Sequence, residues 1–279
     1  SFKYFAINSE VAEMDRRPIG VMDSGLGGLS VLRVLRRELP DESLLFVGDQ
    51  GHFPYGTKTQ AEVRRLALAI GRFLVRHDAK LMVVACNTAT GAALPALQAA
   101  LPIPVIGVIR PGASAALATN PRTIGVIGTD STIKNGAYER TLHELQPAVQ
   151  VVSQPAQPLV SIVEHGQTGT PAAQQAVDKV LQCFATQPVE TLILGCTHFP
   201  FLSREIQRRL GPSVHLIDPA YETVQTVKQV LTDKHFLAAG GQQRTALYTT
   251  GRIADLQAGA DKWLTGDYGQ CSSVKLDGE

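Results

Sequence analysis

The sequence predicts an α/β protein of two similar domains, each a doubly wound parallel sheet, related by internal duplication and closing on an active site in the cleft between them. Three observations carry this. Short apolar, β-branched runs alternate with segments of helical periodicity, as in parallel sheets covered on both faces. Four such runs in the first half are matched in order by four in the second. Each half also places a cysteine followed by polar residues directly after its third run.

Composition agrees with a large buried core. The 279 residues are 44% hydrophobic and 18% charged, which excludes disorder and coiled coil and makes disulfides or a structural metal unnecessary. Lys and Arg number 26 against 25 Asp and Glu, with no block of like charge, so no nucleic-acid or membrane partner is expected. The longest unbroken apolar run, 81–86, has six residues, far short of the roughly 20 a bilayer crossing needs. Four cysteines do not make a disulfide framework in a chain this long, and the first residues lack an apolar export core, so the expected location is the cytoplasm.

Residues 1–17 read as an N-terminal extension. The first domain is expected over 18–109 together with 221–279, and the second over 110–220. Runs at 19–22, 44–47, 81–84 and 105–108 read as strands buried on both faces. After the first comes the turn Asp23-Ser24-Gly25-Leu26-Gly27-Gly28, then a helix over 29–39. Between the second and third, Val63, Leu66, Ala67, Ile70, Phe73 and Leu74 mark an amphipathic helix over 62–77, with Thr59 and Glu62 spaced as a capping box. The second set, at 124–127, 149–152, 192–194 and 214–217, lies 105, 105, 111 and 109 residues further on. Val224, Val227, Val230 and Leu231 then place a helix over 221–231, where the chain crosses back to cover the first domain.

Ligands of parallel α/β sheets sit outside the carboxyl ends of strands, and Cys86 and Cys196 fall there. Cys86 precedes Asn87-Thr88 and an Ala/Leu-rich helix; Cys196 precedes Thr197-His198-Phe199-Pro200, with Pro200 placed as the first residue of a helix. A helix N-terminus lowers a thiol pKa. A single cysteine at a strand end is most simply a small buried apolar group, yet the duplication places both at equivalent strand ends beside polar neighbours. The Asp23–Gly28 loop reads equally as a structural turn or an anion cradle, and Asp23 lacks the second carboxylate of a phosphatase-type nucleophile. Pro54-Tyr55-Gly56 follows the second strand onto the same rim. Thr129, Ser131 and Thr132 follow the fifth and read equally as helix caps. Glu164 and His165 end an apolar stretch and read as a solvated pair.

Two thiols from two halves can flank one carbon, and a symmetric acid/base pair suits inversion of a stereocentre by proton transfer. Asp23 beside Cys86 and His198 beside Cys196 are placed to assist, while Asn87 and the threonines can hold substrate carboxylates. Lys58 and Lys134 do not follow a strand end, and no dinucleotide loop is present, so no organic cofactor is expected. Three alternatives stand beside this reading: a cysteine hydrolase with Cys86 as nucleophile and His198 as base, an amino-acid binding module, and a metal site of Cys86, Cys196 and His198, although none of these has finger-type spacing.

At these motifs, Asp23-Ser24-Gly25 with Gly27-Gly28, Pro54-Tyr55-Gly56, Ala85-Cys86-Asn87-Thr88-Ala89 and Gly195-Cys196-Thr197-His198-Phe199-Pro200, the chain resembles the glutamate racemases of the aspartate/glutamate racemase superfamily. The resemblance runs from about 19 to 223. It implies cofactor-independent interconversion of L- and D-glutamate, supplying D-glutamate for peptidoglycan, by a protein that commonly forms homodimers. It further implies Cys86 and Cys196 as the acid/base pair, Asp23, Glu164 and His198 as auxiliary catalytic groups, and Asp23, Ser24, Pro54, Tyr55, Gly56, Asn87, Thr88, Thr129, Thr132, Thr197 and His198 as substrate contacts. His198 favours glutamate, since aspartate racemases tend to carry Glu there. Ser131 and Asp218-Pro219-Ala220 depart from the family's usual Gly and Asp-Ser-Gly.

Overall fold

β1 (Ile19–Asp23), β2 (Leu44–Gly48), β3 (Leu81–Val84) and β4 (Val105–Gly107) are buried at every position, which is why they run as unbroken apolar stretches rather than alternating ones. The computed structural model describes residues 15–240, 243–266 and 268–276. Of the N-terminal extension expected over 1–17, residues 1–14 lie outside them. The four strands pair in parallel in the order β2-β1-β3-β4. They alternate with α1 (Leu29–Glu38), α2 (Gln60–Arg76), α3 (Asn87–Ala100) and α4 (Ile109–Leu117). The capping box forms at α2, where Thr59 Oγ1 accepts the Glu62 N–H at 3.2 Å.

The second sheet repeats the first. β5 (Thr123–Gly128), β6 (Gln150–Pro155), β7 (Thr191–Gly195) and β8 (His215–Ile217) are all parallel, in the order β6-β5-β7-β8. In each sheet the second strand thus lies outside the first and the fourth outside the third, so the matched offsets in sequence correspond to a matched topology. The fold is two parallel-sheet α/β domains. Around the second sheet lie α5 (Asp130–Asn135), α6 (Ala137–Leu145), α7 (Gln157–Glu164), α8 (Pro171–Val180) and α9 (Ser203–Leu210). β6 is half-buried or exposed throughout, as befits an edge strand, and ends in Pro155, which has no N–H to offer.

α10 (Pro219–Asp233) starts two residues before the expected helix because Asp218 caps it, accepting from the Ala220 N–H at 3.0 Å. It buries Val224, Val227 and Leu231 and packs on α1 and α4. Beyond it, β9 (Thr245–Thr249), α11 (Ile253–Trp263) and β10 (Gln270–Ser273) extend the first sheet, with β9 parallel to β2. Neither strand stands out in the sequence. Thr-Ala-Leu-Tyr-Thr is buried only at alternate positions, and Gln-Cys-Ser-Ser forms a polar edge. Among the described residues no helix is long and apolar enough to cross a membrane.

At the amino-terminal end of β3, Lys80 is fully buried and its Nζ lies 2.6 Å from Glu42 Oε2. It also donates to the carbonyls of Asp15 and Phe236 at 2.7 and 2.6 Å, while Glu42 Oε1 accepts the Ala238 N–H at 2.8 Å. This pair anchors the segment after α10 to the amino-terminal end of the first sheet, opposite the cysteines. Removing one partner strands a buried charge. Lys80→Met is therefore expected to lose about 3–5 kcal/mol of stability, read as a lowered urea midpoint; an unchanged midpoint would show that the pair is dispensable.

Candidate active site

Asp23 ends β1, Cys86 follows β3, Thr129 follows β5 and Cys196 follows β7. The two sheets turn these carboxyl ends toward one another, so Cys86, Thr129 and Cys196 meet in a cavity of about 10 Å³, roughly the room of one water molecule, while Asp23 is fully buried behind its wall and does not line it. Ser24, Pro54, Tyr55, Gly56, Cys86, Asn87, Thr88, Thr129, Cys196, Thr197 and His198 line it, with Phe53, Gln157 and Val160. The last two are absent from the sequence reading: Gln157 shows only as a polar residue after a strand, and Val160 carries no signal at all. Phe53, Pro54, Gln157 and Val160 also face an outer hollow of about 660 Å³ that reaches Glu164.

Cys86 caps α3, and its Sγ accepts the Ala89 N–H at 3.4 Å and donates to Ser24 Oγ at 3.6 Å. The expected lowering by the helix N-terminus is overturned. Burial, reinforced by the charge of Asp23, outweighs these two bonds and pushes the thiol up to about 12. Asp23 is itself fully buried, and burial raises its carboxyl above the usual range against the pull of His198 and the Gly25 and Gly28 N–H groups. Its Oδ2 accepts from the Gly25 N–H at 3.0 Å, and its Oδ1 accepts from Thr197 Oγ1 of the opposite domain at 3.4 Å.

The second thiol has different company. Cys196 Sγ lies 3.5 Å from His198 Nδ1, and His198 Nε2 is hydrogen-bonded to Glu164 Oε1. Burial alone would lower the imidazole, but the sulfur of Cys196 and the carboxylate of Glu164 outweigh it and raise His198 to about 10. Glu164 and His165 therefore part company: Glu164 turns in, while exposed His165 turns back to Ser161. Pro200 opens a single 3₁₀ turn over Phe199–Leu202 rather than the expected α-helix, which begins at Ser203.

Across the cavity, Thr88 of the first domain and Thr129 and Thr132 of the second form a triangle of buried hydroxyls with sides of 2.8, 3.0 and 2.9 Å. Thr129 is also the α5 cap, accepting the Thr132 N–H at 3.2 Å, while it lines the cavity. Thr132 does not line the cavity itself but bonds to Thr88 and Thr129, which do, and Ser131 instead accepts from Gln60 at 2.8 Å. Tyr55 OH donates to buried Asp49, which Thr250, the residue just after β9, holds at 2.6 Å. Tyr138, also missed in the sequence, donates to Asn87 Oδ1 at 2.6 Å.

Two glycines let the domains approach. A Cβ at Gly27 would lie 2.3 Å from Thr197 Oγ1 and 2.9 Å from the His198 ring; one at Gly56 would lie 2.6 Å from Thr129 Cβ. Among the described residues no cluster of His, Cys, Asp and Glu is arranged to hold a metal ion. Lys58 is engaged with Glu62 at 2.9 Å.

Comparison with known proteins agrees with this geometry. A family model described as Asp/Glu/hydantoin racemase matches residues 19–227. A glutamate racemase from Limosilactobacillus reuteri (strain DSM 20016) is 61% identical over 266 residues, covering 95% of this chain and 100% of its own. Among solved structures, a glutamate racemase isoform from Bacillus anthracis has a TM-score of 0.90 at 39% identity, covering 94% of this chain and 98% of its own. The glutamate racemase from Francisella tularensis, crystallised with D-glutamate, also has a TM-score of 0.90, at 33% identity over 95% of this chain and 100% of its own. The chain belongs to the Asp/Glu/hydantoin racemase family.

Proposed function

We propose that the protein is a cofactor-independent glutamate racemase in which Cys86 and Cys196 act on opposite faces of the α-carbon. The observation that carries the reading is the convergence of one thiol from each domain on a single narrow cavity, each with its own proton-handling neighbours. A thiolate on one side takes the α-proton while the thiol opposite delivers one. Cys86, held as a thiol by burial and Asp23, is the resting acid. Protonated His198 stabilises negative sulfur at Cys196 and returns a proton when Cys196 must become the acid, with Glu164 holding the ring.

Asn87 and Thr197 follow the two cysteines directly and receive the α-carboxylate, onto which charge flows as the proton leaves. Asp23 and Ser24 meet the α-amino group. Thr88, Thr129 and Thr132, with the Pro54-Tyr55-Gly56 turn, receive the side-chain carboxylate. The names of the relatives support glutamate as substrate. In this reading the enzyme acts in the cytoplasm as a homodimer and supplies D-glutamate for peptidoglycan. The hydrolase alternative finds no support in the contacts, because His198 pairs with Cys196 rather than Cys86. A cavity of about 10 Å³ is too small for glutamate, so binding the substrate requires the cavity to widen.

The two enantiomers have equal free energy in water, so any loss must strike both directions equally in kcat/KM. Cys86→Ser or Cys196→Ser is expected to lower kcat/KM by roughly 10²–10⁴, followed by polarimetry from either enantiomer. Near-normal racemisation by either variant would overturn the two-base scheme. As pH rises through about 10, His198 loses its proton and activity is expected to fall, a limb that His198→Gln should lack. The same shift has a stability sign. The folded value lies above the ordinary imidazole value of 6.5, so the stabilisation from protonated His198 is complete below about 6.5 and is lost as pH rises through about 10. Unfolding midpoints of wild type and His198→Gln should converge over that window; a constant gap would contradict the charged pairing.

A further inference from the structure

Tyr138, on α6, is 2% exposed, and proton transfer between the two thiols makes no use of it. Its hydroxyl donates to Asn87 Oδ1 at 2.6 Å. Its ring lies against Gly195, where an added Cβ would be 3.2 Å from Cε2. Asn87 directly follows Cys86, and Gly195 directly precedes Cys196. One side chain of the second domain therefore touches the chain neighbours of both thiols, and its bond to Asn87 crosses between the sheets.

A carboxamide has one acceptor end and one donor end. With Oδ1 taken by the phenol, the –NH₂ of Asn87 is the end left for the cavity that Asn87 lines. We propose that Tyr138 is a positioning residue for racemisation, fixing the Asn87 amide so that its N–H donors face the α-carboxylate of the substrate. This rests on the racemase reading above. The phenol is a dependable donor, because burial, together with the charges of Asp218 and Cys196, holds its proton well above the ordinary tyrosine range.

Negative charge grows on the α-carboxylate only as the α-proton departs. A correctly turned N–H donor is therefore worth more in the transition state than in the bound ground state. A freely turning Asn87 still binds substrate, with either end, but offers less to the developing charge. Loss of the hydroxyl thus appears in kcat rather than KM.

Tyr138→Phe keeps the ring against Gly195 and removes only the donor. Its kcat for glutamate is expected to fall roughly five- to tenfold, the size of one neutral hydrogen bond, with KM within about twofold of wild type. Because the effect passes through Asn87, the double variant with Asn87→Ala should be no slower than Asn87→Ala alone. A second readout needs no turnover. The Asn87 side-chain amide resonances, assigned by their loss in Asn87→Ala, should shift in Tyr138→Phe. If wild type does not interconvert the glutamate enantiomers, the functional reading fails and takes this one with it. If wild type is active and Tyr138→Phe keeps full kcat, or its loss multiplies with that of Asn87→Ala, the positioning role alone is overturned.

Discussion

The structure depends on one constraint: the carboxyl ends of two separate parallel sheets must come close enough for side chains of both to share a cavity of about 10 Å³. Small residues make the approach possible, since a side chain at Gly27 or Gly56 would strike the opposite domain. Hydroxyls make it specific, through the Thr88, Thr129 and Thr132 triangle and the Thr197 to Asp23 bond. The contacts within the threonine triangle are neutral and short in reach. They hold the domains together without the cost of burying isolated charge, and hydroxyls bonded to one another can turn toward a carboxylate when the cleft closes on one.

Within that enclosure the duplicated architecture is symmetric but its electrostatics are not. Both cysteines are almost fully buried. Cys86 faces a buried carboxyl and gains a thiol pushed up to about 12, whereas Cys196 faces a histidine held protonated to about 10. Two similar halves thus surround their cysteines with different groups, a buried carboxyl on one side and a charged imidazole on the other. The difference comes from single positions after the strands. Asp23 ends β1 where Gly128 ends β5, and His198 stands two residues after Cys196 where Thr88 stands two after Cys86.

Much of this was legible from residue order. Strands buried on both faces are long apolar runs, so β1 to β5, β7 and their rims could be read directly, and strand-end logic then brought Asp23, Cys86, Thr129 and Cys196 to one place. β10 escaped because an edge strand need not be apolar, and β9 because only its alternate positions are buried. Gln157, Val160 and Tyr138 escaped because they reach the site through tertiary packing, with no local pattern to mark them. The direction of the Cys86 shift was misread for a related reason. The helix N-terminus is visible in sequence, but the burial that outweighs it is a property of the closed cleft.

If two different groups handle the departing and arriving protons, the fate of the α-hydrogen in deuterated water reveals it. L-glutamate converted to a small extent should yield D-glutamate carrying deuterium at the α-carbon, while the unreacted L-glutamate keeps its protium. Product that retains the original protium, or substrate that exchanges as fast as product forms, would mean that one group serves both faces, and the paired-thiol account would be wrong.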